Sequence, residues 1–187
     1  MKAYLESFNI LTKDEIDFFE SKVRYKHLAK GDFFMAEGKV CREVAFVKSG
    51  IFRSYYHSSS GDEITYCFTL SNSFLSAYSS FLTESPTVEN IQALTDSELF
   101  SISRAEILKL EQSSANWVKL LKFIAEQEYI KMEKRIFILQ KEGAEKRYKD
   151  LLTNKPELLQ VIPLNYLSSY LGITQRHLSR IRKSISN

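Results

Sequence analysis

Gln175, Arg176, Ser179, Arg180 and Lys183 recur at spacings that put them on one face of a single helix, and their chemistry suits a nucleic-acid duplex. Arginine can hold guanine O6 and N7 through two hydrogen bonds, and glutamine can pair with adenine N6 and N7, each at about 1–3 kcal/mol of base discrimination. Lys183, Ser168, Ser169 and the amides that open this helix suit phosphate contacts, which set register without reading sequence.

The elements that must carry these side chains are two short helices within Pro163–Lys183, hinged at Gly172. Leu167 and Leu171 fall one turn apart on the first. Leu178, Ile181 and Ile185 turn inward on the second, and Ile173 plugs the corner. Ser168 sits where the helices approach, Gly172 supplies the positive φ of a sharp turn, and Thr174 caps the second helix. This is the layout of a DNA-reading helix-turn-helix. A solvated hairpin with basic residues for solubility would explain the charge alone. Hinge glycine, inner apolar set and outer polar types together favour DNA.

Charge follows the same division. The net +3 combines residues 1–114, with 12 Lys/Arg against 16 Asp/Glu, and residues 115–187, with 14 against 7; no acidic residue follows Glu157.

The front half has a different texture. Thr12-Lys-Asp-Glu15 is a capping box ahead of Ile16, Phe19 and Val23, so a short helix is expected there. From about Arg24 to Ser103, short β-rich runs are punctuated by Gly31, Gly38, Gly50 and Gly61. Glu63–Leu70 alternates strictly, placing Ile64, Tyr66, Phe68 and Leu70 on one face, and Ser58–Asp62 supplies the preceding turn. An antiparallel sandwich or jelly-roll barrel is expected, ending near Ile102, where Ser103-Arg-Ala-Glu106 caps another helix.

From about Ser114 to Gln140 there is no Gly or Pro, and Trp117, Leu121, Ile124, Tyr129, Met132, Ile136 and Leu139 mostly fit a helical repeat. Such a helix runs roughly 39 Å, too long for one small domain to bury, so it is expected to pair with its twin in a parallel homodimer. Gly143 is the natural hinge before an amphipathic segment, Ala144–Thr153, which Asn154-Lys-Pro156 closes. The expected fold class is α+β, divided as 1–113 barrel, 114–142 dimerisation helix and hinge, and 143–187 helix-turn-helix.

Other chemistry finds little support. His27, His57 and His177 are isolated, and Cys41 and Cys67 have no metal-ligand or disulfide spacing. No catalytic grouping, metal site or cofactor is expected. The first residues lack a signal-peptide pattern and no apolar run reaches spanning length, which leaves no membrane partner and the cytoplasm as the expected location.

In its order of parts the chain resembles the Crp/Fnr family of bacterial transcription regulators. The residues that carry the likeness are Lys30–Gly38, Phe46–Gly50, Ala93–Ser103 and Tyr170–Arg180. The resemblance implies a cyclic-nucleotide-binding-like sensor barrel and a dimeric, operator-binding C-terminal domain, with RNA polymerase as a further candidate partner. By position, Gln175, Arg176 and Arg180 match the family's three base-reading positions, and only Arg180 carries the usual residue. Two departures matter. Where cyclic-nucleotide binders carry a Gly-Glu pair and later an Arg-Ser or Arg-Thr pair, this chain has Phe74-Leu-Ser-Ala77 and Thr87-Val88. Burying a phosphate without its cation costs several kcal/mol, so cyclic AMP is not expected to bind in the family's way. Phe68, Phe74, Tyr78 and Phe81 there form either an apolar effector pocket or, on the general rule for aromatic clusters, a filled core. The sequence also stops at Asn187 where family members often continue into a β-wing, from which fewer phosphate contacts and a flatter salt dependence are expected.

The resulting expectation is a DNA-binding regulator whose subunits each place one helix in a half-site, with centres about 10–10.5 bp apart. A barrel signal would act through the long helices and the Gly143 hinge. The competing expectation is a ligand-sensing or scaffold protein whose helix-turn-helix does not bind DNA.

Overall fold

The structure, a computed structural model, describes residues 1–185. They divide into two compact bodies, one of residues 1–56 and 68–126, the other of residues 57–67 and 127–185. The Asn187 terminus lies outside the described residues.

The first body begins with α1 (Lys2–Glu6) and α2 (Lys13–Lys22). The capping box forms: the Glu15 amide donates to Thr12 Oγ1 at 3.2 Å, and the Thr12 amide donates to Glu15 Oε2 at 2.7 Å. Eight strands follow in two antiparallel four-stranded sheets: β1 (Arg24–Leu28), β2 (Phe33–Met35), β3 (Glu43–Ser49), β4 (Phe52–His57), β5 (Glu63–Thr69), β6 (Phe74–Leu75), β7 (Glu89–Ala93) and β8 (Ser97–Ser103). Their orders are β1-β8-β3-β6 and β2-β7-β4-β5. Register explains the core. Val47 opposite Leu99 and Ala45 opposite Leu75 share one face of the first sheet; Phe52 opposite Ala93, with Ile91, lines the second. All are buried, as expected of two sheets packed face to face.

The other face of the first sheet is covered by aromatic residues. The Tyr4 ring on α1 lies 5.2 Å from that of Phe46 and 5.8 Å from that of Phe74, centroid to centroid. The β3–β4 turn needs its glycine: Gly50 has φ +105°, and a Cβ there would stand 2.0 Å from Ser97 Oγ. The barrel ends into α4 (Arg104–Ser113), whose Ser103 N-cap accepts from the Glu106 amide.

Three short helices were not expected from sequence: α1, α3 (Tyr78–Thr83) and α7 (Pro156–Val161). Each has six residues or fewer, too few to show a period; Pro156, read as a terminator, in fact opens α7 at the first-turn position where proline is tolerated. The strict alternation expected of Glu63–Leu70 also fails. Thr65 is buried alongside Phe68, and Ile64, Tyr66 and Cys67 are half-covered, so β5 has no plain solvent face.

The long helix α5 (Ala115–Lys141) begins in the first body and ends in the second. Its first turns bury Trp117 and Leu120, with Trp117 5.3 Å from Phe19. Val118, Tyr129, Met132, Ile136 and Leu139 stay exposed. The last four alternate three and four residues apart, the spacing of a coiled-coil seam. No helix among the described residues is long and apolar enough to cross a membrane.

The second body combines the β4–β5 hairpin tip, the end of α5, and α6 (Ala144–Asn154), α7, α8 (Leu164–Leu171) and α9 (Gln175–Ile185). Arg147 on α6 donates to the carbonyls of Leu139 and Glu142 at 3.1 and 2.7 Å, capping α5 across the Gly143 joint with a cation.

Candidate nucleic-acid interface

Leu167, Leu171, Leu178 and Ile181 meet in a buried core between α8 and α9, and Ser168 fits against them at 3% exposure. Gly172 adopts φ +66° and ψ +37°; the Ile173 amide donates to the Ser168 carbonyl at 3.0 Å, closing a Schellman turn. Thr174 then caps α9, its Oγ1 accepting from the His177 amide at 3.2 Å. Turn and cap fix the angle at which the second helix leaves the first.

With Leu178 and Ile181 turned inward, Gln175, Arg176, Ser179, Arg180 and Lys183 are all exposed on α9. None of Arg176, Arg180 and Lys183 pairs with a carboxylate among the described residues. A face of unneutralised cations and side-chain amide and hydroxyl groups on a rigid helix can make bidentate and phosphate contacts without first breaking internal bonds.

Two serines behave differently from the sequence expectation. Ser168 is buried and its hydroxyl donates to the Asn165 carbonyl at 3.0 Å, a local back-bond within α8. Ser169 donates to the Glu63 carbonyl at 3.0 Å and accepts from the Thr65 amide at 2.9 Å. Both hydroxyls are spent inside the protein and are not free to hold phosphate.

Sequence reasoning missed Arg135. Its guanidinium lies 3.8 Å from the Tyr170 ring centroid and donates to the Tyr170 carbonyl. Burial, the largest influence, pulls its pKa below the usual arginine value, and neighbouring Arg147 adds to this. A signal existed: Arg135 follows Ile124 by eleven residues and Trp117 by eighteen, near whole turns, so it extends the covered stripe of α5. Arg53, at 1% exposure with its guanidinium 4.1 Å from the Tyr55 ring centroid, carried no such signal.

At the expected effector region the four aromatics separate. Tyr78 stacks on Phe81 at 5.8 Å and 11°, while Phe74 packs among Tyr4 and Phe46. Phe68 and Phe81 are buried. Ser80 ties the segment shut, accepting from the Cys41 amide at 2.9 Å and donating to the Ser85 carbonyl. A guanidinium does reach it, from an unforeseen place: Arg104 Nε donates to the Phe81 carbonyl at 3.1 Å and its Nη1 lies 3.1 Å from the Glu84 carboxylate. That cation is already neutralised.

A family model described as a cyclic nucleotide-binding domain matches residues 25–114. A comparison with curated proteins finds no match. Among solved structures the chain is similar to FixK2 from Bradyrhizobium japonicum, with TM-score 0.75 and 19% identity over 88% of this chain and 84% of that one. A protein from Eubacterium rectale assigned to the Crp/Fnr family of transcriptional regulators gives 0.76 and 18% over 98% and 88%. The c-di-GMP-responsive global regulator CLP of Xanthomonas campestris gives 0.73 and 16% over 94% and 92%. Residues 25–114 thus match a cyclic nucleotide-binding domain, within a chain that carries the fold of the Crp/Fnr transcriptional regulators.

Proposed function

We propose that this chain is a homodimeric, sequence-specific DNA-binding transcription regulator. The observation that carries the reading is the outer face of α9, where Arg176, Arg180 and Lys183 stand exposed without acidic partners among the described residues, beside Gln175 and Ser179. Gln175, Arg176 and Arg180 read base edges; Lys183, Ser179 and the Thr174-capped amides of α9 hold phosphate. The exposed heptad positions Tyr129, Met132, Ile136 and Leu139 of α5 pair with those of a second copy. Two-fold symmetry then sets half-site centres about one helical turn, 10–10.5 bp, apart.

On this reading cyclic AMP does not bind in the family's usual way. Phe74–Ala77 and Thr87–Val88 bring neither a carboxylate for a ribose nor a guanidinium for a cyclic phosphate, and Arg104 is held by Glu84. Calorimetric titration with cyclic AMP is expected to give no heat of binding; micromolar affinity would overturn this part of the reading.

The test of DNA binding is fluorescence anisotropy on duplexes recovered by the protein from genomic fragments. Binding that weakens with salt and falls in Arg176→Ala and Arg180→Ala supports the reading. Indifference to every duplex at low salt would leave a sensor or scaffold instead.

A further inference from the structure

We propose that Ser169 is a positioning residue, a latch tying the carboxyl end of α8 to the β4–β5 hairpin and so fixing where α9 presents its basic face. The inference rests on the DNA-reading proposal for its second readout only.

β5 is an edge strand of its sheet, so one row of its backbone groups lacks a neighbouring strand. Glu63 and Thr65 are two residues apart, and the carbonyl of the first and the amide of the second point off the same edge. The Ser169 hydroxyl donates to that carbonyl at 3.0 Å and accepts from that amide at 2.9 Å. One oxygen thereby does what a residue of an added strand would do. A hydroxyl is donor and acceptor at one atom, so alanine loses both bonds and threonine can keep them.

The neighbouring residues are held as well. Tyr170 is gripped by Arg135 through its ring and its carbonyl, and Leu139 Cδ2 lies 3.6 Å from where a Cβ on Gly172 would be. α9 starts three residues past Gly172, behind a closed Schellman turn and a Thr174 cap. No slack separates the latch from the reading helix.

The experiment compares the full chain with Ser169→Ala and Ser169→Thr. Amide exchange of Thr65, followed by NMR without DNA, is expected to be about tenfold or more faster in Ser169→Ala and restored toward the parent in Ser169→Thr, with Leu99 unchanged. On duplexes whose half-sites are moved apart or together by one base pair, Ser169→Ala is expected to discriminate less between spacings than the parent, and Ser169→Thr to behave as the parent. Unchanged Thr65 exchange in Ser169→Ala overturns the latch. Faster exchange with unchanged spacing preference overturns its positioning role. Should the parent itself bind no duplex, the DNA reading fails, while Thr65 exchange still decides whether the latch exists.

Discussion

The Arg135 guanidinium covers the Tyr170 ring at 3.8 Å and donates to the carbonyl of the same residue, so a half-buried cation meets an aromatic face and a helix end instead of a carboxylate, while its Nε has no hydrogen-bond partner among the described residues. Burial raises the Tyr170 hydroxyl above its ordinary value, outweighing the downward pull of Arg135, so the phenol stays neutral. The guanidinium stays charged, and the last turn of α8 supplies the complementary dipole.

This pair can be measured. Arg135→Ala should destabilise the protein by about 2 kcal/mol, combining a desolvated cation–π contact with a charged hydrogen bond. Tyr170→Leu, which removes the ring and leaves the carbonyl, should cost less. Urea unfolding of both single variants and the double variant should give a coupling energy of about 1 kcal/mol.

Gly50 and Gly172 both have positive φ but differ in what surrounds them. At Gly50 a methyl group would strike Ser97 at Oγ, Cβ and Cα, within 2.0, 2.6 and 2.9 Å. Gly50→Ala should therefore cost about 3 kcal/mol or more, and adding Ser97→Ala should recover only part of it because Cβ and Cα remain. Gly172→Ala meets nothing closer than Leu139 at 3.6 Å and should cost only the left-handed backbone penalty, about 1–2 kcal/mol. Thermal unfolding separates the two.

Glu15 makes stability depend on pH. Partial burial alone would raise its pKa; hydrogen bonds from Ser114, Thr12 and Asn116 outweigh it and hold the carboxyl below the usual value. A group depressed on folding adds stability above its unfolded pKa, about 4.3, and that contribution is lost as pH falls through the folded value. Glu15→Gln should cost about 1 kcal/mol at pH 7, and the difference from the parent should shrink toward pH 3. Denaturant midpoints across that range check it.

Much of this architecture was legible in the sequence, for physical reasons that particular residues illustrate. Leu167, Leu171, Leu178 and Ile181 announced the two C-terminal helices because their spacing is that of a face, and Gly172 announced the turn because few other residues accept its backbone. Thr12 and Glu15 announced α2 through a purely local rule. What stayed hidden was long-range. Nothing local to Ser169 tells that its hydroxyl meets a strand more than a hundred residues earlier, and sequence alone offers it as a phosphate ligand. The aromatics of the effector region looked alike in sequence and parted in space, Phe74 toward α1 and Phe81 toward the core.

The exposed apolar seam of α5 should hold two copies together. Ile136→Glu or Met132→Glu places a charge on that seam and should convert a dimer to a monomer in light scattering after gel filtration, with DNA affinity reduced at least about tenfold because two linked heads become independent. A parent that is monomeric at micromolar concentration would contradict the seam.

The most direct test is anisotropy of the parent, Arg180→Ala and Lys183→Ala on a recovered operator between 50 and 200 mM salt. Arg180→Ala should cost about 1–3 kcal/mol and relax the preference at one base position, whereas Lys183→Ala should weaken binding to all sequences evenly and lower the salt slope by about one. Equal binding by parent and Arg180→Ala, or a parent that ignores duplex DNA at the lowest salt, would contradict the reading of α9.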